Sequence, residues 1–121
     1  MTSPAAIVQR QLDAYNAHDL DAWLATYAEH ARQFEYPDQL LAQGHAALRE
    51  RMRQRFADPA LRARLVQRAV MGTMVIDQEL VTRSVQGGLA QMELVAIYEV
   101  HDGRIQTASF VFGPVNEGVA S

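Results

Sequence analysis

The sequence predicts an α+β domain, and three observations predict it. Through the first half of the chain, apolar residues recur at helical spacing. From about Arg64 onward they recur at the two-residue spacing of strands. Asp102-Gly103 then sits between two long apolar runs, as a two-residue hairpin turn does. A chain of 121 residues is the length of one domain, so residues 1–121 are read as a single unit that buries a core without staples.

Ser3-Pro4 opens helix one, with Ser3 as cap and Pro4 at the first helical position. Val8, Leu12 and Tyr15 fall at i, i+4 and i+7 and face inward, flanked by Ile7 and Gln11. Gln11 and Tyr15 are therefore polar groups at a core. Tyr15 is either a packed aromatic whose hydroxyl reaches the rim or a hydroxyl offered to a pocket. Asn16-Ala17-His18-Asp19 breaks the helix, and Asp19 caps the next one. Leu20, Trp23, Leu24 and Tyr27 give helix two one broad apolar side. Gln33-Phe34-Glu35-Tyr36-Pro37 puts a carboxylate and a phenol near a strand end, because Pro37 cannot donate to a ladder.

Asp38-Gln39 reads as a turn and Leu40-Leu41-Ala42 as a short strand. Helix three opens at Gly44-His45, buries Leu48, Met52 and Phe56, and ends at Asp58-Pro59. Seven of the 11 arginines lie between Arg49 and Arg68 and read as a solvated helix face and loop. Arg64 to Gly72 is a strand. Met74-Val75-Ile76 and Leu80 to Gln86 read as a hairpin around Asp77-Gln78-Glu79, closed by Gly87-Gly88.

The turn at Asp102-Gly103 sets a register for Leu89 to Phe112. Val100 faces Ile105, Tyr98 faces Thr107, Ala96 faces Ser109 and Leu94 faces Val111. On the other face Glu99 meets Gln106, Ile97 meets Ala108, Val95 meets Phe110 and Glu93 meets Phe112. Both faces are apolar. Helices cover one, and a second copy of the chain is the simplest cover for the other, so a homodimer is expected. Glu93 would stand among Val95, Phe110 and Phe112, where a carboxyl must be paired, protonated or open to water at a strand end. Val115 to Ser121 reads as a loose tail.

Composition excludes several classes. A net charge of -3, with no lysine, argues against nucleic acid as a partner. There is no apolar run of about 18 residues to span a membrane. The start, MTSPAAIVQRQ, has no basic and apolar leader pattern, so the cytoplasm is the expected compartment. Zero cysteines exclude disulfides and thiolate chemistry. His18, His30, His45 and His101 form no ligand pair, so no metal or other cofactor is expected. His18, His45 and His101 are expected to be exposed, with His30 at the start of the first strand. No nucleophile elbow, phosphate loop or dinucleotide fingerprint is present.

Two short helices, then a strand ending in an acid beside a proline, resemble the opening of the nuclear transport factor 2-like superfamily. That superfamily includes ketosteroid isomerases and SnoaL-like polyketide cyclases, and the resemblance runs over nearly the whole chain. It implies a cystatin-like cone: three amino-terminal helices on a strongly curved antiparallel sheet around a mostly apolar pocket. Trp23, Phe34, Phe110 and Phe112 would wall that pocket.

In ketosteroid isomerases an aspartate after the second helix is the general base. Matching Asp19-Leu20 through Tyr27-Ala28 without gaps brings Glu35 to that place, and matching on the proline brings Tyr36 there. Glu35 is preferred, because a carboxylate can move a proton between carbons. The family's protonated oxyanion-hole acid falls on Glu93. Its oxyanion-hole tyrosine falls on Gln11, with Tyr15 one turn later on the same side. Phe112 takes the place of an aromatic pocket residue. The resemblance implies a cofactor-independent, steroid delta-isomerase-like enzyme that moves a proton next to the carbonyl of a small apolar substrate. Glu35 would abstract and Glu93 donate, with Tyr15 or Gln11 assisting. The alternative is a non-catalytic dimeric module of the same fold that binds a ligand or a protein.

Overall fold

The structure is a computed structural model and describes residues 2–119. The elements run α1 (Pro4–Asn16), α2 (Leu20–Ala25), β1 (Tyr27–Glu35), β2 (Gln39–Gln43), α3 (His45–Phe56), β3 (Arg62–Met71), β4 (Met74–Val85), β5 (Gly88–His101) and β6 (Arg104–Val119). The six strands form one sheet in the order β2-β1-β6-β5-β4-β3. Every neighbouring pair is antiparallel except β1 and β6, which run parallel. The helices pack on one face of the sheet: α1 lies against β3 to β6, and α3 lies against β1 and β2.

The amino-terminal signals act as their chemistry dictates. The Ser3 hydroxyl accepts from the Ala6 amide at 3.2 Å, and the Asp19 carboxylate accepts from the Ala22 amide at 3.0 Å. Between them, the Asn16 side chain pairs twice with the Ala63 backbone, at 2.8 and 2.9 Å, and so ties the end of α1 to β3. The break itself puts His18 at φ 57°, a region that disfavours residues with a Cβ. His18 is held there by a 2.7 Å contact from Nε2 to the Leu61 carbonyl. It is half-buried, as is His45, whose Nε2 meets the Tyr27 carbonyl at 2.9 Å. Neither shows the expected exposure, whereas His101 does; His30, on the first strand, is exposed as well.

Helix two stops earlier than its apolar spacing suggests. Tyr27 is already strand, because Ile105 donates its amide to the Thr26 carbonyl and Tyr27 pairs with Ile105. The ring still points into the same core. That core joins Ile7, Val8 and Leu12 of α1 to Trp23 of α2 and to Leu48 and Met52 of α3, against Val75, Tyr98 and Ile105 of the sheet. Each large side chain fully removed from water there contributes about 1.5–3 kcal/mol.

Three strand expectations are corrected. Asp77-Gln78-Glu79 is not a turn: β4 runs unbroken, and the reversal lies at Gly72-Thr73, where Gly72 takes φ 58°. The tail is not loose as far as it is described, because β6 continues to Val119 and pairs with Leu89 to Met92. Residues 120 and 121 of that stretch lie outside the described residues.

The third correction concerns the long hairpin. Val100 faces Ile105 as expected, but Glu99 faces Thr107, so Gln106 is an extra residue in a β-bulge. Every later pair slips by one: Tyr98 meets Ala108, Ala96 meets Phe110 and Leu94 meets Phe112. A slip of one residue exchanges the faces of a strand. Phe110 and Phe112 therefore turn to the helix side. Glu93 stays on the outer face with Val95, Ile97 and Val111, and is exposed.

Candidate functional site in the sheet cavity

The helices do not fill the concavity of the sheet. An open-mouthed cavity remains between α1, α2, α3 and the inner face. Its apolar wall is built from Leu12, Trp23, Met52, Leu94, Phe110 and Phe112. The rings order one another: Trp23 lies 4.6 Å from Tyr27 and 5.7 Å from Phe56, and Phe110 stacks on Phe112 at 6.0 Å between centroids.

The chemistry comes from β4. Strand alternation sends Val75, Asp77, Glu79 and Val81 inward, and all four are buried. Asp77 is 0 % exposed and is answered in full. Arg68, directly opposite on β3, grips it with Nε and one terminal nitrogen at 2.7 and 2.9 Å. The third donor of Arg68 goes to the Gln9 side chain at 2.9 Å. This is a buried bidentate pair, and its bonds to Asp77 raise the Arg68 pKa.

Glu79 has no such partner. It is 5 % exposed, lines the cavity, and no hydrogen bond from the described residues contributes to its ionisation. Burial first, and the nearby Asp77 charge second, push its carboxyl up to about 7, with Arg68 pulling weakly the other way. Glu79 is thus close to half protonated near neutral pH, as a group that both takes and gives a proton should be.

Three phenols share the cavity. Burial pushes the Tyr15 hydroxyl up to about 12 and raises Tyr27 and Tyr98 as well. All three stay neutral at ordinary pH and so keep an O–H that can donate. Tyr27 belongs to a relay: Arg51 donates to the Gln33 side-chain amide oxygen at 2.7 Å, and the Gln33 amide nitrogen donates to the Tyr27 hydroxyl at 3.4 Å. Two buried polar atoms on the cavity wall have no partner among the described residues, Gln11 Oε1 and Trp23 Nε1.

The structure brings Gln11, Tyr15, Trp23, Phe110 and Phe112 together around this space. It does not bring the two expected acids there. Glu35 ends β1 in an exposed position, and Tyr36 beside it is 58 % exposed. Neither alignment of that stretch puts a titrating group in the cavity, because both side chains turn to solvent although Glu35 pairs with Phe110. Phe34 is half-buried under the Arg32 guanidinium, 5.3 Å from its ring centre, and is not part of the wall. Glu93 is excluded by the bulge at Gln106. The groups that sequence reasoning missed are Glu79, Asp77, Gln33 and Arg51. The first two had a signal: Val75, Asp77, Glu79 and Val81 keep strict two-residue spacing, which a turn would break.

Among the described residues no group of three or more His, Asp or Glu side chains could hold a metal ion, and no helix is long and apolar enough to cross a membrane.

Comparison with known proteins bears on this geometry. The profile of the SnoaL-like domain matches residues 8–108. No curated protein matches the sequence. Solved structures do match the fold. A cystatin-fold protein from Novosphingobium aromaticivorans superimposes with a TM-score of 0.84 at 23% identity, over 92% of this chain and 99% of that one. SalBIII, an epoxide hydrolase/cyclase-like enzyme of pyran ring formation in the polyether salinomycin, gives 0.83 at 15% identity, over 93% and 94%. A protein with a ketosteroid isomerase-like fold from Catenulispora acidiphila, in complex with trimethylamine, gives 0.77 at 11% identity, over 93% and 88%. At these identities the likeness is one of fold.

Proposed function

The chain belongs to the SnoaL-like domain family, and from that premise we propose that its cavity is an active site that moves a proton next to the carbonyl of a small, largely apolar compound. One observation carries the reading: Glu79 is a buried carboxyl with no hydrogen-bonding partner among the described residues, set in an aromatic-walled cavity and poised near neutrality. Ionised Glu79 takes the proton from the carbon beside the carbonyl. The carbonyl oxygen, which gains charge as this happens, is met by the neutral Tyr15 hydroxyl. Protonated Glu79 then returns the proton to the same or a neighbouring carbon. Trp23, Phe110 and Phe112 hold the apolar body and exclude water. The acid-base role thus rests on Glu79, in place of Glu35 and Glu93.

The test is hydrogen exchange. A steroid β,γ-unsaturated ketone and a panel of small apolar ketones are incubated with the protein in deuterium oxide and followed by proton NMR. Loss of signal beside the carbonyl, abolished in Glu79→Gln, supports the reading. Exchange that survives in Glu79→Gln sinks it. Binding with no exchange by the native protein points to the ligand-binding module instead. Small apolar epoxides belong in the same panel, because SalBIII is described as epoxide hydrolase/cyclase-like and protonated Glu79 would be an acid for a ring oxygen.

The protein is also proposed to act as a homodimer. The outer face of the sheet carries Ile76 and Val111, 38 % and 40 % exposed, beside the half-buried Val95 and Ile97. A second copy is the simplest cover for that face.

A further inference from the structure

α3 carries four arginines, and they are treated unequally. Arg49 and Arg53 face solvent and pair with Asp21 and Glu50. Arg51 and Arg55, one turn apart, line the cavity, and neither meets a carboxylate among the described residues. Arg51 is held by its hydrogen bond to Gln33 and lies 5.8 Å over the Phe110 ring. Two guanidinium groups thus face the same partly dry space with no counter-charge. Burial first and Arg55 second depress the Arg51 pKa, the mark of a cation short of a partner.

The other charged end of the cavity does not supply that partner. The groups that shift Glu79 are Asp77 and Arg68, and neither Arg51 nor Arg55 is among them. Tyr15 lines the same cavity and packs edge-on against Phe56 of α3, 5.4 Å between ring centres. The cavity is therefore bipolar, with Glu79 on β4 and two unpaired guanidinium groups on α3. Arg55 also borders an adjoining groove that shares Val81 and Met92 with the cavity and runs to Arg83 and Asp58.

We infer that the natural ligand is an amphipathic acid: an apolar body whose reacting carbonyl lies at Glu79 and whose carboxylate is held between Arg51 and Arg55. One Arg51 nitrogen is committed to Gln33, and a planar two-oxygen acceptor suits the donors left on two neighbouring guanidinium groups. This rests on the cavity being the ligand site described above, and it names the class of substrate that site takes: keto acids rather than neutral ketones.

The test is equilibrium binding, which needs no turnover. Phenylbutyrate and its methyl ester have nearly the same apolar body and differ in charge. Each is titrated calorimetrically into the native protein, Arg51→Gln, Arg55→Gln and Glu79→Gln. The native protein is expected to prefer the acid on the order of ten- to a hundredfold, and the preference falls in both arginine variants. Glu79→Gln leaves both guanidinium groups in place and removes negative charge from the cavity, so it does not lower the preference, whether or not Glu79 proves to be the acid-base group, which separates the two claims. Equal binding of acid and ester, binding of neither, or a preference that survives both arginine substitutions overturns the inference. Arg55→Gln keeps the test valid should the half-buried Arg51 be needed for folding.

Discussion

Glu79→Gln isolates what burial does to one carboxyl. In the unfolded chain the group titrates near 4.5, and in the folded protein near 7. Below pH 4.5 both states are protonated, and ionisation costs the fold nothing. Between the two values the unfolded chain releases its proton while the folded protein keeps it, so stability falls as pH rises. Above about pH 7 both are ionised, and the full penalty of a buried charge beside Asp77 is present. That displacement corresponds to about 3 kcal/mol. Glutamine keeps the shape and cannot ionise. The variant should therefore gain about 3 kcal/mol over the native protein as pH is raised from about 4 to about 8, the other titrating groups being common to both. Urea unfolding reads this directly. With a slope of about 1–3 kcal/mol per molar urea, the midpoint of the variant should move above that of the native protein by on the order of 1–3 M at the alkaline end. A difference between the two proteins that stays constant with pH would refute the reasoning. It would mean that Glu79 is solvated or paired in the fold, and the acid-base role would fall with it.

Arg68→Met should cost about 3–5 kcal/mol, because it strands the fully buried Asp77 charge; the double variant with Asp77→Leu should recover most of the loss in the same urea experiment, and a cost under about 1 kcal/mol would show that the pair is hydrated. Asp77→Asn removes the charge that helps hold Glu79 up, so any exchange activity that rises with pH should show its rise at lower pH, as a profile of rate against pH would record. Val111→Glu should convert a homodimer to monomer in sedimentation velocity without lowering the unfolding midpoint of the monomer, since the side chain is 40 % exposed on the outer face.

The helices were legible because their signals are local. Ser3, Pro4, Asp19 and the Leu48, Met52, Phe56 stripe each act within a turn or two, and the structure uses each of them. The strands were legible only as far as their turns. Asp102-Gly103 does close the last hairpin, but nothing in the residues around Gln106 announces a bulge, since a bulge is settled by how two faces pack and not by local propensity. That single extra residue decides which acids and which rings share a face, so the placement of Glu93 beside Phe112 could not survive it.

The site was harder to read for a reason that follows from its chemistry. A polar pair inside a strand looks like a turn, because burying carboxylates in a core is unfavourable and sequence patterns are weighed on that assumption. Here the assumption fails twice in neighbouring inward positions. Asp77 is tolerated because Arg68 stands opposite it in register, nine residues away around a tight turn. Glu79 has no equivalent on its neighbouring strands: Leu65 and Leu94 are its cross-strand partners, and both are apolar. An acid left without an answer between two leucines weakens the fold whenever it ionises. The cavity it faces is where that loss can become proton transfer.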